Sequence, residues 1–357
     1  MFGIINNRNY SNMDCISQYC PSTVNRAIGK IRRKRGFYDK STLFQFSTAH
    51  KKKPSIQNLL AHLKFQRDLG IRPTPQLLKH LLNSTEDIPR KLMRPALNLL
   101  IENRMPEEAL QATDPETLRL LADKSPPIAD ALHKRDRAIS PNAQKLATFH
   151  AKQRSNREEF LKYLNRHGDS ICIVGNAATL IDSDNGNYID NHDVVVRFNH
   201  YQSKQSDIND TGTKMNVWVC SPNVATNTKE ILESAEWIVL TGCDIRYQLA
   251  NWQPLIPLIE SNKKIITVPI EIWQGLVERL NAPPSAGLLL LSWLIEEIDQ
   301  PKKPVATGFQ VDEPPTVNQR YHHALPNHKP GWRHNWEYER KLLNTWIDTE
   351  LIVLDKG

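Results

Sequence analysis

Residues 170–199 read SICIVGNAATLIDSDNGNYIDNHDVVVRFN and decide the predicted fold. Two short apolar runs, SICIVGN (170–176) and HDVVVRFN (192–199), lie on either side of a polar stretch, and each ends in an asparagine. Strands of a parallel sheet are buried on both faces, so they are apolar without alternation. The stretch therefore predicts two parallel strands with Asn176 and Asn199 at their carboxyl ends. Two amides at neighbouring strand ends, with Gly175 allowing close approach, suit a nucleotide base and ribose; the alternative is that both asparagines cap turns.

The same form recurs towards the C-terminus. The further strand candidates are KMNVWVCSPN (214–223), EWIVLTGCD (236–244), KKIITVPI (263–270) and KPVATGF (303–309). Helical patterns lie between them, at TKEILESA (228–235), EIWQGLVERL (271–280) and GLLLLSWLIEEI (287–298). Such alternation predicts an α/β fold with a mostly parallel sheet and helices on both faces. Ligands of these sheets bind at the carboxyl ends of the strands.

The chain of 357 residues divides into three parts by composition. Residues 1–53 contain 11 basic residues against Asp14 and Asp39, a net charge of +9, and are expected to form a flexible arm. Residues 54–166 carry short helical patterns broken by prolines and predict a small all-helical region of unknown role. Residues 167–357 form the predicted α/β domain.

Composition narrows the class of protein. No apolar stretch reaches the roughly 18 residues of a membrane span, and the N-terminus has no apolar core before a cleavage site. The five cysteines show no CxxC spacing, which favours reduced thiols. We therefore expect a cytoplasmic protein. The basic arm could contact anionic lipid at the inner membrane face, whereas nucleic-acid binding is not favoured because no binding module accompanies the charge.

A second cluster is PPSAGLLLLSWLIEEI (283–298). Ser285 is placed as the N-cap of a helix, so Ala286 and Gly287 would present N–H groups in its first turn. Such a helix start favours phosphate or carboxylate. The alternative is a capped core helix without a ligand.

The third cluster, YHHALPNHKPGWRHNWEYERKLLNTW (321–346), holds four of the 12 histidines. Helical periodicity begins near Trp336, so His334 lies at a helix N-terminus whose positive field keeps an imidazole neutral. A neutral imidazole there can act as a general base. Metal binding by the histidines is the alternative, although their spacing does not match HExxH.

In this order, the three clusters resemble the sialyltransferases of glycosyltransferase family 29. Residues 172–214 are similar to its large sialylmotif, 283–309 to its small one and YHHA (321–324) to its third motif. HNWEYE (334–339) resembles the His-x4-Glu of the very small motif through His334 and Glu339. The large-motif positions that match are Val174, Gly175, Asn176, Gly186, Ile189, Asp190, His192, Asp193, Arg197, Asn199, Asp210, Gly212 and Lys214. The resemblance covers about residues 170–357 and not the helical front.

The resemblance implies a variant GT-A fold and inverting transfer of a 2-keto sugar acid, sialic acid above all, from a CMP donor to a glycan hydroxyl. Donor contacts would then come from Gly175, Asn176 and Asn199 and from the helix start at Ser285, Ala286 and Gly287. The catalytic residues would be His334 as base, His322 or His323 at the leaving phosphate, and Glu339 of the same motif.

Departures from the family pattern are informative. By this resemblance, Ile171 and Ile298 occupy the positions of a disulfide that links the large and the small sialylmotif in secretory members of the family, and their replacement of the cysteines suits a reducing compartment. Cys172, one residue off register, is expected only to pack. Ala286 stands where a hydroxyl residue is common, which removes one donor contact. Asp182-Ser183-Asp184 spells a metal-binding DxD, yet the family works without metal, so neither a metal nor another cofactor is expected.

Two other functions remain open. CMP-Kdo is the alternative donor, because Kdo is another 2-keto acid activated by CMP. A non-catalytic glycan-binding protein of the same fold is the alternative to an enzyme. The acceptor, expected to be an oligosaccharide or lipid-linked glycan, and the linkage formed are not specified by the sequence.

Overall fold

The computed structural model describes residues 19–135, 138–167, 170–201, 207–225, 234–241, 251–298, 303–312, 321–325, 327 and 329–355. Nine helices of its front half are α1 Ser22–Lys34, α2 Lys40–Lys52, α3 Ile56–Asp68, α4 Pro75–Asn83, α5 Arg90–Glu102, α6 Pro106–Gln111, α7 Pro115–Ala122, α8 Pro126–His133 and α9 Pro141–Arg166. The later helices among these residues are α10 Gly186–Asp190, α11 Ile208–Thr211, α12 Pro222–Ala225, α13 Ile256–Ile259, α14 Ile270–Leu280, α15 Ala286–Glu297 and α16 Trp336–Asp348.

The strands form one seven-stranded sheet within the described residues. They are β1 Ile171–Val174, β2 Val194–Phe198, β3 Val217–Cys220, β4 Trp237–Leu240, β5 Lys264–Thr267, β6 Val305–Thr307 and β7 Val353–Leu354. The order is β5-β4-β3-β2-β1-β6-β7, and every neighbouring pair is parallel. The predicted α/β class and the six predicted strands are confirmed, and only the two-residue β7 was not anticipated.

The strand order places a topological switch point between β1 and β6. From β1 the chain builds outward to β5, and it then returns to place β6 on the other side of β1. Connections leave the two central strands in opposite directions, which opens a crevice at their carboxyl ends. Gly175-Asn176 and Gly308-Phe309 follow β1 and β6 directly.

Both faces of the sheet are buried because successive strand residues point to opposite sides. Along β3, Trp218 and Cys220 pack into a cluster with the front helices, including Leu146 and Phe149 of α9. Val217 and Val219 pack into a second cluster that contains residues of α14, α15 and α16. Helices therefore cover both faces, as predicted.

The helical front is continuous with the sheet. α9 ends at Arg166 and β1 begins at Ile171, so the change from helices to strands falls where the sequence predicts it. Gln153 of α9 nevertheless bonds the edge strand β5: its Nε2 donates to the Ile265 carbonyl at 3.2 Å, and its Oε1 accepts from the Thr267 N–H at 2.9 Å. The predicted all-helical region thus shares a core with the α/β part.

The prediction of a flexible basic arm over residues 1–53 is wrong for the described residues from 19 onwards. These residues form α1 and α2, and Tyr38 and Phe46 are buried in the second core cluster. The pair is tied together by Arg32, whose guanidinium lies 2.8 Å from Asp39, and Asp39 also caps α2 by accepting the Thr42 N–H. Burial of a few aromatic side chains stabilises the folded segment despite its polar composition.

Among the described residues, no helix combines the length and the apolar character that crossing a bilayer requires.

Candidate active site

Two glycines bring the ends of β1 and β6 into contact. A Cβ atom at Gly175 would lie 2.2 Å from the Gly308 carbonyl oxygen, so a side chain cannot be accommodated there. Gly308 has φ +68, a left-handed conformation that favours glycine. The close approach fixes the backbone from which Asn176 and Phe309 extend.

Within the described residues, only one of the two polar atoms of the Asn176 side-chain amide has a hydrogen-bond partner. Its Nδ2 donates to the Phe198 carbonyl at 3.0 Å, which ties the end of β1 to the end of β2. Its Oδ1 is buried and accepts no hydrogen bond from the described residues. A buried polar atom without a partner costs on the order of 1–3 kcal/mol, so this oxygen is a candidate ligand contact.

Asn199 lies at the end of β2 in a left-handed conformation, with φ 42. Its Oδ1 accepts the Ser221 N–H at 3.1 Å, and its carbonyl accepts the Trp218 indole N–H at 3.0 Å. The side-chain oxygen therefore has a structural role, and a nucleotide contact from Asn199 stays a prediction.

Phe309 connects the two predicted donor segments and was not proposed as a site residue. A Cβ atom at Gly287 would lie 2.8 Å from its Cε1, and one at Gly175 would lie 3.1 Å from its Cδ2. The ring also meets Phe198 edge-on, with centroids 6.3 Å apart. The Gly308-Phe309 pair at the end of β6 could have indicated a site residue from the sequence. Its contact with Gly287 could not, because the two residues are distant in sequence.

The start of α15 has the predicted cap. Ser285 Oγ accepts the Leu288 N–H at 3.3 Å. Within the described residues, the N–H groups of Ala286 and Gly287 have no acceptor, as first-turn amides of a helix commonly lack one. Two unpaired N–H groups at a 12-residue helix start attract an anion.

Glu339 joins the start of α15 to the first turn of α16. Its Oε1 accepts the Ser285 N–H at 2.8 Å, and its side chain is buried. Burial raises its pKa to about 7, against the opposing effect of the hydrogen bonds from Ser285. Glu339 thus holds the start of α15 in position through the Ser285 N–H group.

His334 immediately precedes the N-cap residue of α16. Its Nδ1 lies 2.9 Å from the Pro283 carbonyl oxygen and 3.8 Å from Glu339 Oε1. A carbonyl oxygen only accepts, so Nδ1 carries the proton and the lone pair of the neutral ring lies on Nε2. The side chain is 27% exposed. This tautomer is the one that a general base requires at Nε2.

His322 has the opposite tautomer. Its Nδ1 accepts the N–H groups of Ala324 at 3.0 Å and Leu325 at 3.1 Å, so the neutral ring carries its proton on Nε2. An isolated bridge pairs His322 with Ala177, and the His323 N–H donates to the Asn176 carbonyl at 3.2 Å. The two rings stack with centroids 5.3 Å apart. Of the two alternatives, His322 therefore has the tautomer that donates from Nε2.

Polar residues of the large motif mainly hold the segment between β2 and β3 and join it to the segment that follows β1. The Arg197 guanidinium is buried and donates to the carbonyls of Lys214 at 2.8 Å and Thr211 at 2.6 Å. Asp190 accepts the Thr213 and Lys214 N–H groups. These positions were matched as motif residues, and the structure gives them a scaffolding role.

The DxD segment is part of the same scaffold. Asp210 accepts the N–H groups of Asp182 at 2.9 Å and of Asp184 at 3.0 Å. In the part of the chain that the structure describes, no three His, Cys, Asp or Glu side chains are grouped as metal ligands.

The sequence-predicted residues form two contact groups. Asn176 lies with His322 and His323, while Ser285 lies with Glu339 and His334. Phe309, through Gly175 and Gly287, lies between the groups. Ile171 and Ile298, at the disulfide positions, belong to one hydrophobic cluster. Cys172 is buried in a small cluster, as expected of a residue that only packs, and burial raises its pKa to about 12.

Other predictions cannot be placed. His328, Cys15, Cys243 and most of the predicted helix 228–235 lie outside the described residues.

Residues 116–240 match the sequence model of glycosyltransferase family 29 (sialyltransferase). Over these residues the chain is similar to glycosyltransferase family 29, which supports the resemblance found in the sequence motifs. The match begins in α7, so it includes part of the helical front, which the resemblance found in the motifs did not cover. It ends with β4, before the segments of Ser285 and His334. The match supports the expected enzyme class, a glycosyltransferase.

Similarity to individual proteins is weaker evidence than the match to the family model. No curated protein matches significantly. A crystal structure of a mammalian sialyltransferase in complex with Gal-beta-1-3GalNAc-ortho-nitrophenol matches with 17% identity and a TM-score of 0.40, over 52% of this chain and 69% of that one. A second crystal structure of a mammalian sialyltransferase matches with the same identity and TM-score, over 53% of this chain and 69% of its own.

Proposed function

We propose that this glycosyltransferase transfers sialic acid from CMP-sialic acid to a hydroxyl group of a glycan, with inversion. The observation that carries the proposal is the geometry of His334. Its Nδ1 is fixed by the Pro283 carbonyl, two residues before the cap of the anion-attracting helix α15. A base at Nε2 is thereby held beside the helix start proposed for the donor.

The donor nucleotide would bind at the switch point. The buried Asn176 Oδ1 can accept an N–H or O–H group, such as the amino group of cytosine or a ribose hydroxyl. The phosphate would lie at the start of α15, where the N–H groups of Ala286 and Gly287 and the helix dipole favour negative charge.

The reaction needs one base and charge stabilisation at the phosphate. The acceptor oxygen attacks the anomeric carbon, and its proton passes to His334 Nε2. The bond between that carbon and the phosphate oxygen breaks, and its electron pair leaves with CMP. The Nε2–H of His322 would stabilise the charge that develops on the phosphate. Attack opposite the leaving group inverts the anomeric centre.

CMP-Kdo remains the alternative donor. The contacts assigned to Asn176 and α15 address the nucleotide and phosphate, which both donors share. A cytoplasmic location, contact with anionic membranes and independence of metal also remain predictions.

A donor screen tests this function. Purified full-length protein is incubated with CMP-sialic acid or CMP-Kdo and a mixture of glycan acceptors, and CMP release is measured. Release that depends on acceptor and is faster from CMP-sialic acid supports the proposal, and faster release from CMP-Kdo supports the alternative donor. Release at the acceptor-free rate from both donors would favour a glycan-binding protein without turnover. Addition of EDTA should leave the rate unchanged, and a collapse of the rate would restore the DxD hypothesis.

A further inference from the structure

A basic cleft of about 630 Å³ lies between the front helices and the segment that precedes His334. Its walls come from α1, α3, the first turn of α5 and the pair Trp332-Arg333. Of the described residues that line it, none is acidic and seven are basic: Arg26, Lys30, Arg33, Lys34, Lys64, Lys91 and Arg333. The cleft is therefore a concentration of positive charge next to the proposed base.

Among the described residues, most of this charge has no acidic partner. Arg33 pairs with the buried Asp68 at 2.8 Å. Within the described residues, Lys30, Lys64 and Lys91 take part in no ion pair. Burial first, and then neighbouring cations, lower the pKa of Lys64 to about 8. An anion in the cleft would relieve this repulsion.

The cleft packs against the segment that leads to His334, the proposed base. Arg333 Nη2 donates to the Tyr38 hydroxyl at 2.9 Å, and the Tyr38 N–H donates to the Asn281 carbonyl at 3.0 Å. Gly36, between α1 and α2, has φ +81, and a Cβ atom there would lie 2.1 Å from the Arg333 carbonyl oxygen. The turn between α1 and α2 therefore fixes the residue that precedes His334.

Trp332 adds an apolar surface at the same place. It lines the cleft, and 59% of the residue is exposed. An indole offers a flat apolar face, and a pyranose ring has an apolar C–H face that can pack on it. A large exposed aromatic surrounded by cations is suited to a sugar that carries negative charge.

We propose that this cleft binds an anionic acceptor saccharide, one that carries phosphate or carboxylate groups, and orients its hydroxyl group towards His334. The proposal rests on the transferase function proposed above and names the class of its acceptor. The basic residues of the N-terminal segment would thus bind substrate as part of a folded wall.

Binding without donor is the first test. A phosphorylated disaccharide, a uronic-acid disaccharide of the same size and their neutral parent are titrated calorimetrically into the full chain. The test variant is K30Q/K91Q, which changes two exposed lysines of the cleft. The matched control, K79Q/K162Q, removes two exposed lysines of α4 and α9 that do not line it. Circular dichroism melting checks that both variants fold.

The anionic disaccharides should bind more tightly than the neutral parent. K30Q/K91Q should weaken their binding about tenfold, as expected for losing charge-assisted contacts, and K79Q/K162Q should not. Equal affinity for the neutral parent would overturn the proposal, as would an equal loss in the control variant. Inorganic phosphate that binds as tightly as the phosphorylated disaccharide would indicate a free-anion site. Anionic vesicles retained with the same dependence on Lys30 and Lys91 would indicate a membrane surface.

A kinetic test separates this proposal from the proposed function. With an accepted donor, K30Q/K91Q should raise the KM for an anionic acceptor about tenfold while leaving the KM for the CMP-sugar unchanged. If CMP competes with the anionic disaccharide in the titration, the cleft is a nucleotide site and the acceptor assignment fails. If the disaccharides bind as expected but no donor releases CMP, the transferase function fails and an anionic-sugar site remains.

Discussion

The segments that follow β1 and β2 use polar residues in a different way from the helix starts at Ser285 and His334. Asp190, Arg197 and Asp210 bond mainly to backbone groups of the segments that follow β1 and β2. At the helix starts, the His334 Nδ1 is fixed by the Pro283 carbonyl, and within the described residues the first-turn N–H groups of Ala286 and Gly287 have no acceptor. A matched motif position is therefore not by itself a ligand contact, and hydrogen-bond partners separate scaffold from site.

Replacement of the proposed base should have the largest effect. His334→Ala should lower kcat for CMP-sugar turnover about a thousandfold, because proton abstraction is lost. CMP affinity should change little. Initial rates of acceptor-dependent CMP release measure the first quantity and titration calorimetry the second.

His192 provides a matched control for this prediction. Its Nδ1 also lies 2.9 Å from a carbonyl oxygen, that of Tyr188, and its ring meets Tyr188 edge-on, as the His334 ring meets Trp336. His192→Ala should keep kcat within about twofold, since a surface substitution away from a site usually changes little. Equal losses in the two variants would contradict the division between scaffold and site.

Replacement of a scaffold residue should lower the free energy of unfolding rather than the affinity for CMP. Arg197→Met should lower the free energy of unfolding by about 3 kcal/mol, because two buried carbonyls and Asp190 lose their partner. Urea denaturation measures the change, and CMP affinity of the folded fraction should remain. Arg154→Met, at an exposed pair with Glu158, should change stability by less than about 0.5 kcal/mol. A normal stability for Arg197→Met with lost CMP binding would move Arg197 into the site.

Glu339 should make stability depend on pH near neutrality. Burial raises its folded-state pKa from 4.5 to about 7, so between these pH values the folded state binds more protons than the unfolded state. The unfolding free energy should therefore fall as pH rises from about 5 to about 8, by roughly 2–3 kcal/mol. Glu339→Gln should remove this fall, as measured by Tm against pH.

The control for Glu339 lies in the same helical turn. Glu337 is exposed and pairs with Lys341. Glu337→Gln should retain the wild-type pH profile. Parallel profiles for wild type and Glu339→Gln would show that the buried carboxyl does not titrate in this range.

The smallest expected effect is that of replacing Asn176, the proposed contact of the donor nucleotide. Asn176→Ala should weaken CMP binding about tenfold, the value of one buried hydrogen bond. Asn185→Ala removes an amide of the loop that bonds Asp355 at 2.9 Å, and it should leave CMP affinity unchanged. Unaltered affinity in Asn176→Ala would exclude its Oδ1 as a nucleotide contact.

The strands could be predicted from sequence because burial on both faces leaves compact apolar runs, such as Ile171–Val174 and Val194–Phe198. The cap at Ser285 and the helix beginning at Trp336 were also predicted, since their signals lie within a few residues. Local chemistry determines these features.

The remaining features depend on contacts between distant segments. Glu339 meets Ser285, and Gly36 packs on Arg333, across long stretches of chain. The tautomers of His322 and His334 follow from such backbone partners and cannot be inferred from spacing. The N-terminal helices were missed because their polar composition conceals how few buried side chains, chiefly Tyr38 and Phe46, hold them in the core.

A crystal structure of the full chain with CMP tests the central claim most directly. The account predicts the nucleoside against Asn176 at the ends of β1 and β6, with the phosphate at the start of α15 beside His334. CMP bound elsewhere, for example in the basic cleft lined by Lys30 and Lys91, with the switch point empty, would contradict it.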